Sequence, residues 1–306
     1  MMEKIKSIKI KKEMKVSELV DEMKEAGFGA RKMGKAVEIM KEMFSDEECK
    51  VFLGVAGAMV AAGMKEIIID IIKEEKINVF VTTGANLTHD LIEALGESHY
   101  HCDYWDDKDF HAKEFDRMYN VFMKNQVYEK IEEFFEKNWE KFQNSKNITG
   151  FLKKIGELLP RGNNSILRIC YEKKIPIFCP GISDSGIGLM VWGRLASGKN
   201  ISIDVFDDMK EIIDIAWGSK KNGVIYVGGG FPKNFIQQSL QFSKGADYGI
   251  QITTDRPESG GSSGAPLEEG ISWGKMRPDA KKEEDYIDIF CDATIALPLL
   301  LASVKN

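Results

Sequence analysis

Apolar residues first recur at helical spacing at Val16, Leu19, Val20 and Met23, which predicts a helix with Ser17 as N-cap and Gly27 as its stop. A second amphipathic helix follows through Met33, Ala36, Val37, Met40, Met43 and Phe44. The period then changes. Residues 51–55 form a short continuous apolar run, as in a parallel strand covered on both faces, and 59–73 reads as the crossover helix behind it. A strand at 78–83 completes a βαβ unit. The alternation continues with a helix at 87–95, a strand at 175–179, a helix at 187–196, a strand at 201–205, a helix at 208–217 and a strand at 223–227. Pro232 stands in the first turn of the next helix, 248–253 resumes the sheet, and Phe290 closes it before a C-terminal helix containing Pro298. The pattern predicts an α/β fold: a doubly wound, mostly parallel Rossmann-like sheet with helices on both faces.

Between about 97 and 164 the βα rhythm stops in a segment rich in Phe, Tyr, Trp, Lys and Glu, including Phe122, Tyr128, Phe134, Phe135, Trp139 and Phe142. Helical spacing of these rings predicts a helical insertion. The mixed charge between them favours core or subunit interface over a base-stacking platform. With no compositional break, residues 1–306 read as one domain: a helical N-terminal segment to about 48, then the α/β body carrying the insertion.

The net charge of −6 and a pI near 5.5 make a broad phosphate-binding face improbable, so nucleic acid is not an expected partner; a cationic small molecule or basic loop suits the charge better. No run of about 18 apolar residues spans a bilayer, and Met1 to Lys15 is lysine-rich without the apolar stretch of a signal peptide. A soluble, cytoplasmic protein that does not meet a membrane is expected. The five cysteines (Cys49, Cys102, Cys170, Cys179, Cys291) contain no CxxC pair and read as buried thiols.

Three loops at predicted C-terminal strand ends are small or polar, and in an open α/β sheet that edge binds ligands. They are Gly54-Val55-Ala56-Gly57-Ala58, Thr82-Thr83-Gly84-Ala85-Asn86 and Gly228-Gly229-Gly230. Each alone could be a tight βα turn, and the first lacks GxGxxG spacing; three on one edge favour a nucleotide. Asp184 and Asp292 each follow an apolar run and could accept from ribose hydroxyls or cap a helix. His99, His101, Cys102, Asp103 and His111 are close in sequence, but neither HExxH nor CxxC supports a metal, and none is expected. His89, in the first turn after the Thr83 loop, could exchange protons at the sheet edge or be structural. Lys275 lies behind Trp273 and Gly274, with Glu268 and Glu269 nearby to hold a cationic ligand; a ring that excludes water lowers an ammonium's pKa and suits an amine nucleophile.

The residues Ser272-Trp273-Gly274-Lys275 with Arg277 and Asp279-Ala280 resemble the deoxyhypusine synthase family. So do Gly228-Gly229-Gly230 before Lys233, Gly245-Ala246-Asp247-Tyr248, Ser263-Gly264-Ala265, Asp292-Ala293, Phe52-Leu53-Gly54 with Gly63, and Thr82-Thr83. The resemblance runs through most of the chain and is weakest before Phe28 and in the insertion. Gly84-Ala85-Asn86-Leu87-Thr88-His89-Asp90 is similar to the archaeal and bacterial branches. It implies an NAD-dependent transfer without net redox change. Hydride leaves spermidine for the cofactor, the four-carbon aminobutyl unit passes to Lys275, diaminopropane departs, and the unit moves to a lysine of translation initiation factor 5A and is reduced. It also implies a homotetramer with active sites shared between paired subunits. By the same resemblance Gly57, Ala58, Ala61, Thr83, Gly84, Asp184, Gly229, Thr254, Asp255, Asp292 and Ala293 occupy the NAD positions.

Glu269 and Trp273 keep the family's amine-pocket identities, whereas His89 stands where a glutamate base is usual. Leu189, Asn234 and Ser262 stand where an aspartate, a histidine and another aspartate are usual. Losing carboxylate partners of a buried ammonium leaves three readings open: deoxyhypusine synthase, a homospermidine synthase-like transferase with a small amine acceptor or an agmatine-type donor, and a non-catalytic NAD- or polyamine-binding protein.

Overall fold

The computed structural model describes residues 4–305, so Met1 to Glu3 of the lysine-rich start lie outside the described residues. In chain order the elements are α1 (Val16–Lys24), α2 (Phe28–Ser45), β1 (Cys49–Val55), a π-helical turn (Val60–Met64), α3 (Lys65–Lys73), β2 (Val79–Thr82) and α4 (Gly84–Ala94). Then come β3 (Tyr100–His101), α5 (Asp107–Ala112), β4 (Phe115–Met118), β5 (Val121–Lys124), α6 (Val127–Phe142), α7 (Ile148–Leu158), α8 (Ile166–Lys173), β6 (Ile177–Phe178) and α9 (Gly186–Ala196). The chain ends with α10 (Val205–Gly218), β7 (Lys221–Val227), α11 (Gly230–Gln241), β8 (Tyr248–Thr253), α12 (Glu269–Ser272), β9 (Tyr286–Phe290) and α13 (Ala293–Val304). The chain forms two compact units, the first holding residues up to Ala56, 76–81 and from Met209 onward, the second 57–75 and 82–208.

In the first unit the strand order is β2–β1–β7–β8–β9, and β1, β7, β8 and β9 pair in parallel, with Gly54 opposite Tyr226 and Ile252 opposite Ile289. Every residue of β8 is buried, as a strand covered on both faces requires. Gly223 lies beneath Met43 of α2, and Gly54, on the opposite face, beneath Ile236 and Pro232 of α11. The fold is therefore the expected α/β one, a mostly parallel sheet flanked by helices. Two helix-end expectations fail. Lys15, not Ser17, is the N-cap of α1, because the Glu18 carboxylate accepts from the Lys15 backbone N–H at 3.3 Å; and Gly27 opens α2, since α1 already ends at Glu25. The crossover helix expected over 59–73 is broken at Gly63, whose φ of 83° cannot continue an α-helix, and restarts at Lys65.

The second unit corrects the reading of a purely helical insertion. Its first half holds a three-stranded antiparallel sheet of order β3–β5–β4 with α5, knit by Tyr100, Phe110, Phe115 and Phe122 at ring separations of 5.3–5.6 Å. Phe115-Asp116-Arg117-Met118 alternates with period two over only four residues, too short to stand out beside helical spacing. The second half is helical as expected: Phe135, Trp139 and Phe142 of α6 are buried core. No strand forms at 201–205 beyond a bridge between Asn147 and Asp204; the Asp204 carboxylate accepts from the Phe206 N–H at 2.8 Å and starts α10 instead.

Two buried carboxylates cap helices from far along the chain. Asp208 accepts from the N–H groups of Ile148 and Thr149 at the start of α7, and Asp90 from Ile166 and Leu167 at the start of α8, at 2.9–3.0 Å. Burial pushes the Asp90 carboxyl up to about 7 against those two bonds. Asp90→Ala leaves two buried donors unpaired and is expected to cost roughly 2–5 kcal/mol, read as a fall in the urea midpoint at constant slope. Among the described residues no helix is long and apolar enough to cross a membrane. Of the cysteines, Cys49, Cys170 and Cys179 are buried but Cys102 and Cys291 are only half-buried, which corrects the reading of five buried thiols.

Candidate active site

The Lys275 segment is fixed in the first unit by its backbone. α12 is a single turn, Gly274 at φ 71° reverses the chain, and the Lys275 N–H donates to the Gly270 carbonyl at 2.8 Å. The Lys275 carbonyl then accepts from Ala246 and the Ala246 carbonyl accepts from Arg277, each at 3.0 Å, so Met276 lies alongside Ala246 as a one-residue strand. This contact requires Gly245: its φ is 74°, and a Cβ there would stand 2.9 Å from the Met276 carbonyl carbon. Arg277 fastens the far end, donating to buried Asp247 at 2.7 Å while its other face grips Asp279. Held this way, the half-buried Lys275 ammonium lies 4.9 Å from the centre of the Trp273 ring. Burial lowers the Lys275 pKa below the ordinary lysine value, and the Glu269 carboxylate pulls it back up. Glu268 is engaged elsewhere, by Lys282 at 2.7 Å.

In the first unit the C-terminal ends of three neighbouring parallel strands carry the expected cofactor residues. β7 runs into Gly229, β8 into exposed Thr254 and Asp255, and β9 into Asp292 and Ala293. Gly229 lies against the chain itself: a Cβ would stand 2.3 Å from the Ser263 Cα, and the Ser263 hydroxyl accepts from the Gly230 N–H at 2.7 Å. Asp292 is the N-cap of α13, accepting from the Thr294 N–H at 2.7 Å and its hydroxyl at 2.6 Å. Asn234 and Ser262 are both half-buried.

The second unit gathers another set. The Thr83 hydroxyl donates to the Gly57 carbonyl at 2.7 Å, and the Asn86 side chain accepts from the Val60 N–H at 2.9 Å, clipping the loops that carry Gly57, Ala58, Ala61, Thr83 and Gly84. Gly84 packs on Ser185. Ser185, not Asp184, caps α9, because its hydroxyl accepts from the Gly188 N–H at 3.1 Å; Asp184 stays exposed, its carboxylate without a hydrogen-bond partner among the described residues. Leu189 is exposed on α9. His89 is buried in the second turn of α4 rather than the first, with its Nδ1 2.9 Å from His99 Nε2. Burial, then the charge of His99, pull the His89 pKa down to about 4 against the Glu93 carboxylate. Among the described residues no group of three His, Cys, Asp or Glu could hold a metal.

A model of the family described as deoxyhypusine synthase matches residues 18–304. The chain belongs to the deoxyhypusine synthase family. Relatives named "Probable deoxyhypusine synthase 1" from Archaeoglobus fulgidus and Methanosarcina mazei are 42% and 41% identical; the matches cover 98% and 99% of this chain and 97% and 94% of theirs. They place it with the archaeal branch and imply a transferase. In fold it is similar to an Entamoeba histolytica protein that carries the deoxyhypusine synthase name, with a TM-score of 0.69 at 17% identity over 96% of this chain and 94% of that one.

Within this family member, sequence reasoning missed the surroundings of Lys275. Lys233, 1% exposed in α11, donates to the Ala265 carbonyl at 2.5 Å, near Asp288, which is itself buried and accepts from the Leu267 N–H at 3.0 Å. Its only sequence signal was the glycine triplet ahead of it. Burial lowers the Lys233 pKa to about 8, with Asp288 and Glu269 opposing and Lys275 adding to the shift. An unfolded lysine keeps its proton to about 10.5, so between pH 8 and 10.5 the unfolded chain binds more protons and stability rises with pH. The urea midpoint of the native chain relative to Lys233→Met should climb across that window; a flat difference would show that burial does not shift this group.

Proposed function

We propose that the chain transfers an aminobutyl unit from spermidine to a lysine of translation initiation factor 5A, with NAD as the hydride carrier and Lys275 as the covalent way-station. The observation that carries this is Lys275, a half-buried amine with a lowered pKa, held rigidly beside Trp273 and Glu269. When bound, NAD would accept hydride from the amine and return it at the end. The residues present fit such a dinucleotide: adjacent parallel strand ends offer exposed Asp255 and Asp292 carboxylates for ribose hydroxyls, beside the Gly229 backbone, and Gly57, Ala58, Ala61, Thr83, Gly84 and Asp184 form a second polar set.

Lys275, deprotonated, attacks the imine carbon of the oxidised donor. The carbon–nitrogen bond to diaminopropane breaks, and that amine leaves with the proton, so the four-carbon unit stays as an imine on Nζ. The acceptor lysine repeats the exchange and frees Lys275. Glu269, which acts electrostatically on both Lys275 and Lys233, is the anion that would hold the donor's distal ammonium, with Trp273 covering its methylenes. In this reading Asn234 and Ser262 of the first unit and Leu189 of the second act as amine-binding residues, and His89 takes the amine proton. The soluble chain would work in the cytoplasm as a homotetramer.

Asn234 and Ser262 supply no charge, and this favours a second reading with a small amine such as putrescine as acceptor. Incubation with labelled spermidine, NAD and either the cognate factor or putrescine separates the two. Label on the factor supports the proposal; homospermidine with no protein label supports the second reading; neither product rejects both.

A further inference from the structure

We propose that His89, His99 and Glu93 form a proton relay in which Glu93 fixes both imidazoles as Nδ1–H tautomers and leaves His89 Nε2 as the free base. The inference rests on the reading of His89 as the group that takes the amine proton. Its geometry lies wholly within the second unit. His89 Nδ1 is 2.9 Å from His99 Nε2, His99 Nδ1 is 2.9 Å from Glu93 Oε1, and Glu93 Oε2 is 2.5 Å from the Lys65 ammonium. The rings meet edge to face, 68° apart, with centres separated by 4.8 Å.

Proton placement follows from what each group can do. An ionised carboxylate only accepts, so the proton of the outer bond sits on His99 Nδ1. A neutral imidazole has one donor and one acceptor, so His99 Nε2 accepts and the proton of the inner bond sits on His89 Nδ1. His89 Nε2 then carries a lone pair, and it makes no hydrogen bond with any described residue. When Nε2 takes a proton from a substrate ammonium, the Nδ1 proton can pass to His99 Nε2 and the His99 Nδ1 proton to Glu93. One proton enters at His89 and one arrives on Glu93, and both rings finish neutral as Nε2–H tautomers. Without the relay His89 would have to hold the charge itself, in surroundings that resist an imidazolium.

The carboxylate specifies the direction, and Lys65 makes that testable. An ammonium can only donate, so in Glu93→Gln it claims the amide oxygen and leaves the NH2 facing His99 Nδ1. His99 Nδ1 must then accept, Nε2 donates to His89 Nδ1, and His89 is left with Nε2–H, no longer a base. Lys65→Met added to Glu93→Gln frees the amide to turn and restores the original order; Lys65→Met alone leaves it unchanged.

The chain has four histidines, so 15N-histidine labelling with long-range proton–nitrogen correlation at pH 7.5 reads the tautomers directly. The expected result is Nδ1–H on His89 and His99 in the native chain and in Lys65→Met, Nε2–H on both in Glu93→Gln, and recovery in the double variant. In parallel, kcat for spermidine-dependent NADH formation should fall on the order of a hundredfold in Glu93→Gln with KM little changed, and stay low in the double variant, whose amide restores the tautomers but cannot take the relayed proton. Native tautomers in Glu93→Gln, or inverted tautomers with unchanged kcat, would overturn the relay. A native chain that forms no NADH from spermidine while its tautomers invert as described would instead reject the reading of the function and keep the hydrogen-bond order.

Discussion

Lys275→Ala is expected to lower aminobutyl transfer at least about a thousandfold, the scale on which losing a covalent nucleophile acts. The loss should be chemical rather than structural. The Lys275 side chain is half-buried and its ammonium makes no hydrogen bond with any described residue, so little of the fold depends on it, whereas the backbone bonds to Gly270 and Ala246 survive the substitution. In the proposed reaction hydride removal from the donor precedes the attack by Lys275, so the variant should still produce NADH from spermidine, at up to one equivalent per site, while delivering nothing to an acceptor. A melting temperature within a degree or two of the native chain is the accompanying control. Transfer at native rates would remove Lys275 from the mechanism.

Gly245→Ala is expected to combine a stability loss with an activity loss, because two costs fall on one methyl. The backbone at φ 74° disfavours any Cβ, and the methyl would meet the carbonyl carbon and oxygen of Met276 and the nitrogen of Arg277, none of which can yield as a side chain could. Together these should cost about 2–4 kcal/mol. Relief comes only by moving the 275–277 segment away from Ala246, which carries Lys275 with it. The measurement is the urea midpoint alongside kcat: both should fall, and a variant with normal stability and normal kcat would contradict the described backing of the lysine. Arg277→Met offers a graded version, since it releases Asp247 and Asp279 without touching the backbone.

Much of the sheet was legible because parallel strands buried on both faces leave uninterrupted apolar runs, as at 51–55 and 248–253. The antiparallel hairpin of β4 and β5 was not, since four-residue strands with half-exposed faces carry too few alternations to outweigh the helical spacing of neighbouring aromatics. At 201–205 local chemistry won over apolar content, Asp204 capping a helix where a strand was expected. The site divides in the same way. Lys275, Trp273 and Glu269 lie within seven residues and could be read as a group, and the family resemblance sharpened that group into a candidate covalent site. The contacts that hold it link positions far apart in the chain: Arg277 to Asp247, Lys233 to Ala265, Leu267 to Asp288. His99 was weighed only as one of several nearby metal-ligand types, because nothing in the spacing reveals that the turn after α4 carries it back onto His89 and Glu93.

Borohydride trapping tests the central claim most directly. The chain is incubated with spermidine and NAD, the imine is reduced, and the digest is mapped by mass spectrometry. The expected result is one aminobutyl adduct, on the peptide containing Lys275, dependent on NAD and absent from Lys275→Ala. An adduct on Lys233 or another lysine, or none at saturating spermidine, would contradict it.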